Sequence, residues 1–350
     1  MNARAQTQAD LGFVEQRLAH YKELTIAQLL RYVPDKEPRR YLWDLVTAYP
    51  RRAGKGLRPG LCLATCRAFG GEIAAGLHCA VGLELFHNAF LVHDDVEDDS
   101  EHRRGEPTLH AAHGLPIAVN VGDAMNVLSL RPLMENLRLL GPSVTLQVFD
   151  EIEHMVRESV EGQALELGWV RDNAVALSER DYLRMTLKKT CWYTCIHPCR
   201  LGALVATGGG VDLDTFNEFG FFMGAAFQIQ DDLLNLLGDE GRYGKEIGGD
   251  IAEGKRTLML IHAYDHAAQD ARERLHAFLA SPRCERSDAD IAWVHALMER
   301  TGAFERARIC ARELAQAAAE RFELAYGELP ESPDKRMIRE LVGYMIERDL

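Results

Sequence analysis

Apolar residues return every three or four positions along most of this chain, the spacing that gathers them on one face of a helix. The pattern predicts helices over 11–30, 61–69, 74–96, 118–140, 144–167 and 183–206. Further helices are expected over 213–237, 256–279, 288–300, 303–326 and 334–348. Ser178-Glu179-Arg180-Asp181 and Asp214-Thr215 have the side chains of helix starts. Gly141-Pro142, Gly208-Gly209-Gly210, Pro282 and Pro330 read as breaks. No hairpin alternation stands out. The expected class is all-α: one large bundle of ten or more helices around a central cavity. No Ser/Pro/Gly-rich linker divides it, so residues 1–350 are expected to form a single domain.

Composition narrows the function. The net charge of −13 sets a nucleic-acid partner aside. An acidic chain that binds an acidic ligand must gather its basic residues locally or use metal ions. No apolar leader opens the chain, and no uncharged apolar run reaches about 18 residues, so neither a secretory signal nor a transmembrane helix is expected. The eight cysteines are scattered, as reduced thiols of a cytoplasmic protein would be. Cys191, Cys195 and Cys199 share a helix face. A metal site there would need a further ligand, and Pro198 disturbs the face, so buried core thiols are the better reading.

The chemistry lies in two matched acidic clusters. The first reads Phe90-Leu91-Val92-His93-Asp94-Asp95-Val96-Glu97-Asp98. The second, 137 positions later, reads Phe227-Gln228-Ile229-Gln230-Asp231-Asp232-Leu233-Leu234-Asn235. Each has a Phe four residues before its first Asp and an oxygen-bearing side chain four after. Residues four apart are neighbours on a helix, so Asp94 and Asp98 form one acidic face, and Asp231 and Asn235 another. Carboxylates this close repel unless a cation lies between them. Mg²⁺ suits the set: it prefers oxygen and shares its ligands with phosphates.

Cations accompany the acids. Gly54-Lys55-Gly56-Leu57-Arg58-Pro59 precedes an apolar helix, and its two charges could converge on an anion. Arg103-Arg104-Gly105 follows the first cluster, and adjacent arginines can serve different phosphates. Lys189-Thr190, Lys245 and Lys255 add further positive groups. His87 stands two turns before Asp94, and Gln163 and Glu166 share another helix. The loops over 99–116 and 238–254 follow the two clusters, and the second is a candidate lid.

Taken in order from about residue 41 to 348, these motifs resemble the trans-polyprenyl diphosphate synthases, the all-helical head-to-tail prenyltransferases of the type I isoprenoid synthase fold. The resemblance implies that Asp94, Asp95, Asp98, Asp231 and Asp232 hold three Mg²⁺ ions against an allylic diphosphate. Arg103, Lys189, Gln228, Lys245 and Lys255 would contact the same diphosphate. Gly54, Lys55, Arg58, His87 and Arg104 would grip isopentenyl diphosphate, with Thr190 near the reacting carbons. Ala89 and Phe90 would set the floor under the growing chain. The bulk of Phe90 and the small size of Ala89 pull the expected product in opposite directions; C20 geranylgeranyl diphosphate is favoured over C15 farnesyl diphosphate. Asn235, where many relatives have Asp, is expected behind the metal ligands. A homodimer is implied. A class I terpene cyclase would not need the second grip, and a non-catalytic partner subunit would be expected to have lost aspartates.

Overall fold

The computed structural model describes residues 3–52, 54–238 and 247–346. Helix α1 spans Ala3–Leu30, α2 Leu57–Ala68 and α3 Ile73–Glu97. The long helix α4, Leu115–Arg171, breaks at Gly141, which takes φ 74° and ψ 172° just before Pro142. Helix α5, Glu179–Thr186, starts at a reciprocal cap: Asp181 N–H donates to Ser178 Oγ, and Ser178 N–H donates to the Asp181 carboxylate. The π-helical stretch Leu187–Ile196 continues it directly into α6, His197–Thr207. Then come α7 Thr215–Leu237, α8 Gly249–Glu253, α9 Leu258–His266, α10 Gln269–Ala280, α11 Asp288–Arg300, α12 Ala303–Tyr326 and α13 Pro333–Ile346.

The elements close around a cavity. Helix α3 packs along α4, α2 along α6, and α7 along α12. Phe216 and Phe219 of α7 meet Phe322 and Tyr326 of α12 edge-on. These large rings seal the bundle on the side away from the cavity. Helix α3 is long and apolar enough to cross a membrane by length and composition alone. Most of it is instead buried between other helices, and it carries Glu84, His87 and Asn88 in its interior.

One close approach sets the geometry of the site. A Cβ on Gly162 of α4 would lie 2.2 Å from the Lys189 backbone nitrogen. Only glycine lets α4 and the π-helical stretch come this near. Isolated π turns recur at functional sites, and this one carries Lys189, Thr190, Tyr193 and Thr194.

Two expectations change. The pattern over 256–279 predicts one helix, but α9 and α10 are separated by extended backbone at Ala267 and Ala268. Neither residue is a glycine or proline, so the sequence carried no signal of the break. The loop after α3 also holds a small hairpin, with His102–Arg103 paired to Glu106–Pro107. Arg104 (φ 56°) and Gly105 (φ 77°) form its turn, the positive-φ pair that fits strand twist. Strands of two residues are too short to show alternation.

Cys191, Cys195 and Cys199 are fully buried core thiols. Burial alone pushes the Cys191 thiol up, and it is the leading cause at Cys195 and Cys199 as well.

Candidate active site

The cavity measures about 1750 Å³, and every helix from α1 to α5 contributes to its wall, together with the π-helical stretch, α7 and α13. Asp94 of α3 and Asp231 of α7 both line it, so the two acidic clusters face one space.

The first cluster is held by cations. Lys189 Nζ lies 3.3 Å from Asp94 Oδ1 and also pairs with Glu166. Arg103 Nη2 lies 3.3 Å from Asp94 Oδ2. Gln163 donates to Asp94 at 3.4 Å and to Glu97 at 2.6 Å. Lys255 Nζ reaches Asp98 at 2.7 Å and Glu253 at 2.6 Å. Burial disfavours the charged Lys189 ammonium, but Glu166 and Asp94 outweigh it and raise its pKa. For Lys255, Asp98, Glu253 and Asp250 outweigh burial in the same way. Asp98 moves the other way: burial, then the Asp94 charge, push its carboxyl up to about 7.

Asp95 is placed differently from its neighbour. Its side chain is 1 % exposed and does not line the cavity. Tyr49 Oη donates to it at 2.5 Å, and Arg103 Nε at 2.6 Å. It thus anchors Arg103, the last residue of the first hairpin strand, with its acceptors already engaged. Ala89 is also turned away: it is fully buried in a cluster with Val46, Tyr49 and Val92, behind α3. Phe90 does line the cavity, stacked on Phe86 at 6.4 Å and edge-on to Tyr193 at 5.7 Å.

The second cluster differs: Asp231 and Asp232 both line the cavity. Asp232 receives Tyr182 Oη at 2.8 Å and Gln228 Nε2 at 2.7 Å. Burial, then the Asp250 charge, push its carboxyl well above the usual range. Thr190 Oγ1 donates to Gln228 Oε1 at 2.9 Å, so Thr190, Gln228 and Asp232 form one chain of hydrogen bonds. Asn235 is buried, and its Oδ1 accepts the Asp250 N–H at 3.0 Å. It ties α7 to the start of α8.

A second group of cations lies farther along α3. Arg58 contacts His87 Nε2 at 3.2 Å, donates to Thr194 Oγ1 at 2.8 Å, and lies 4.2 Å over the Tyr193 ring. Burial, then Arg58 and Arg104, hold the His87 imidazole well below its ordinary pKa, so it is neutral at pH 7. The Arg104 guanidinium lies so close over Gly54 that a Cβ there would come within 2.8 Å of it. Lys55 sits 5.0 Å over the Tyr344 ring of α13.

Lys245 lies outside the described residues, as do residues 239–246 of the candidate lid. The part that is described is tied down. Arg286 donates to Ala252 O at 2.6 Å, Arg283 to Glu253 Oε1 at 3.4 Å, and the buried Arg256 to Gly254 O. Sequence reasoning missed these three arginines, and also Lys22, Tyr49, Glu84 and Tyr193. Glu84 alone left a signal: it is an ionisable residue inside the apolar run Val81-Gly82-Leu83-Glu84-Leu85-Phe86.

The comparisons with known proteins agree with this geometry. Residues 39–298 match the model of the polyprenyl synthetase family. The chain belongs to the polyprenyl synthetase family. It is 32 % identical over 339 residues to a short chain isoprenyl diphosphate synthase of Methanothermobacter thermautotrophicus, covering 95 % of this chain and 98 % of that protein. A geranylgeranyl pyrophosphate synthase of Geoglobus acetivorans is 32 % identical over 325 residues, covering 93 % and 95 %. The crystal structure of geranylgeranyl pyrophosphate synthetase from Pyrococcus horikoshii superposes with a TM-score of 0.83 at 28 % identity, over 96 % of this chain and 99 % of that one. Further relatives are named geranylfarnesyl and octaprenyl diphosphate synthases, so the names span several product lengths. As a family member this chain is a trans-prenyltransferase with the all-α isoprenoid synthase fold.

Among the described residues, no group of three or more His, Cys, Asp or Glu side chains converges into a ready metal cage. The donor set still fits Mg²⁺, which takes one or two carboxylates and completes its shell with water and substrate phosphate. Asp94 and Asp98 supply hard oxygens on one helix face. Beyond burial, Asp94 raises the Asp98 pKa by its charge, the mutual repulsion of two carboxylates that a shared cation would relieve.

Proposed function

We propose that this chain condenses isopentenyl diphosphate head to tail with an allylic diphosphate, and that its main product is the C20 geranylgeranyl diphosphate. One observation carries the reading: a single cavity has an acid-and-cation wall at Asp94, Lys189 and Asp231, and a separate cationic wall at Lys55, Arg58 and Arg104. Two diphosphates can be held at once. A terpene cyclase ionises one diphosphate and has no use for the second wall.

Asp94, Asp98 and Asp231 would hold Mg²⁺, three ions by family resemblance, with Asp95 supporting from behind and Asp232, on the cavity wall, orienting Gln228. When bound, the metal supplies Lewis-acid charge to the leaving diphosphate oxygens. Lys189, Arg103 and Lys255 add positive charge at the same end, where it stabilises the transition state for C–O cleavage. The bond breaks and its electron pair leaves with the diphosphate. Arg58, Lys55 and Arg104 orient isopentenyl diphosphate so that its double bond attacks the allylic carbocation. Neutral His87 adds a hydrogen bond there rather than a further charge. The new carbon–carbon bond leaves a cation, which loses a proton to the departed diphosphate. The oxygens of Thr190 and Gln228 and the rings of Phe90 and Tyr193 face the hydrocarbon and keep water from the cation.

Phe90, backed by Phe86, is the wall residue that limits chain growth. The test is product length by mass spectrometry. Purified protein receives Mg²⁺, isopentenyl diphosphate and, in turn, dimethylallyl, geranyl and farnesyl diphosphates. A C20 product is expected. A stop at C15 would overturn the length, and consumption of the allylic substrate without isopentenyl incorporation would overturn the reaction.

A further inference from the structure

We infer that Lys22, on the N-terminal helix, is a further cation of the isopentenyl diphosphate grip and positions the loop that carries Lys55. The inference rests on the two-diphosphate reading and deepens it. Lys22 Nζ donates to the carbonyl of Gly54 at 2.8 Å and to that of Arg52 at 3.4 Å. These carbonyls lie just before Lys55, so α1 is clipped to the loop at the point where the grip begins. Backbone contact reinforces the clip. Gly56 has φ 63°, and a Cβ there would lie 2.6 Å from Lys22 Cβ. The loop can follow this path only because residue 56 has no side chain.

The ammonium does more than hold carbonyls. It has three N–H donors, and the loop takes two of them. Lys22 also lines the large cavity beside Gly54, Lys55, Arg58 and Arg104. It lines a neighbouring cavity of about 570 Å³ too, which shares Gly54, Lys55 and Tyr344 with the first. Lys22 therefore stands where the two spaces meet, on the side opposite the acidic clusters. The positive charge crowded here has a buried counterweight. Glu84 of α3 is 6 % exposed and hydrogen-bonded by Asn88 Nδ2 at 3.1 Å. Burial pushes its carboxyl up, and Asn88, Arg58, Arg104 and Lys22 oppose that shift by favouring the carboxylate. Glu84 and Glu15, which lines both cavities, face Lys22, Lys55, Arg58 and Arg104, so the site stays net positive, which suits a diphosphate.

The aspartates proposed to share a metal with a ligand, Asp94, Asp98 and Asp231, belong to the other wall, so anion binding here should not require Mg²⁺. That gives a readout besides turnover. Inorganic pyrophosphate is titrated calorimetrically into wild type, Lys22→Met and Lys22→Arg in the presence of EDTA. In parallel, KM is measured for each substrate with the other saturating. For Lys22→Met we expect pyrophosphate affinity to fall about tenfold and KM for isopentenyl diphosphate to rise about as much, the usual loss of one charge-assisted hydrogen bond. KM for the allylic diphosphate should stay within about twofold, and Lys22→Arg should recover most of the loss. An unchanged isopentenyl KM in Lys22→Met overturns the proposal. So does an equal rise in both KM values together with a lowered melting temperature, which would make Lys22 a folding residue. Wild type that incorporates no isopentenyl group would sink the functional reading instead, and the pyrophosphate titration would then judge Lys22 alone.

Discussion

Asp94 and Asp95 are adjacent in sequence and opposite in circumstance. Asp94 lines the cavity; Asp95 is sealed beneath it by Tyr49 and Arg103. Their alanine variants should separate accordingly. Asp94→Ala should cost at least about a thousandfold in turnover, because it removes a group placed for the transition state. Its urea midpoint should shift little. Asp95→Ala should lose about 3 kcal/mol of stability, since Arg103 would remain buried without its main partner. Equilibrium unfolding of the two variants tests the contrast; equal stability losses would show that the buried pair is not structural. The same lesson applies to Ala89 and Phe90. They were paired in the sequence reading as the floor, but a helix turns by about 100° per residue. Only Phe90 faces the cavity.

At the scale of elements, the site depends on how closely α4 meets the π-helical stretch. Gly162 permits that contact at the Lys189 backbone, and the stretch presents Lys189 and Thr190 to the cavity. Gly162→Ala should push the two apart, destabilise the protein by about 2 kcal/mol and lower kcat more than a remote variant of equal stability loss. Thermal unfolding and steady-state kinetics on the same preparation check both parts. The periodicity made α4 and the α5–α6 rod legible as helices, and Gly141-Pro142 marked the break. It could not show the π register, because apolar spacing does not report which carbonyl each N–H selects. It could not show the α9–α10 break either, which two alanines make without any turn chemistry of their own.

At the scale of the whole molecule, a buried charge network braces the wall behind the cavity. Glu151 of α4 accepts both Arg200 Nε at 2.6 Å and Arg200 Nη2 at 2.8 Å, and pairs with His197 Nδ1 at 3.0 Å. Burial alone would raise its pKa, but Arg200 and His197 bring it down to about 2, from 4.5 when unfolded. A carboxylate with a depressed native pKa stabilises the fold above its unfolded pKa, and that contribution is lost as pH falls towards the native value. Wild type should therefore exceed Glu151→Gln by about 2 kcal/mol at pH 7. The gap should close between pH 4.5 and about 2, measured by urea unfolding across pH. A second feature concerns assembly. Val127, Leu130, Met134 and Leu137 stand exposed along one face of α4. A face this apolar fits the homodimer we propose. Sedimentation velocity should return a dimer of the 39.2 kDa chain, and Leu137→Glu should shift it towards monomer.

The sequence by itself determined the helical class, the two matched acidic clusters and the cations that follow them. These are local properties, written in periodicity and in runs of neighbouring residues. It also pointed to the family, because the motifs occur in a fixed order. Tertiary structure decided that Asp94 faces the cavity and Asp95 does not, while Asp231 and Asp232 both do, since that depends on what packs behind each helix. It decided that Asn235 ties α7 to α8, and that Lys22 and Glu84 meet Arg58 and Arg104. Those residues are far apart in the chain, and their charges come together only when the helices pack.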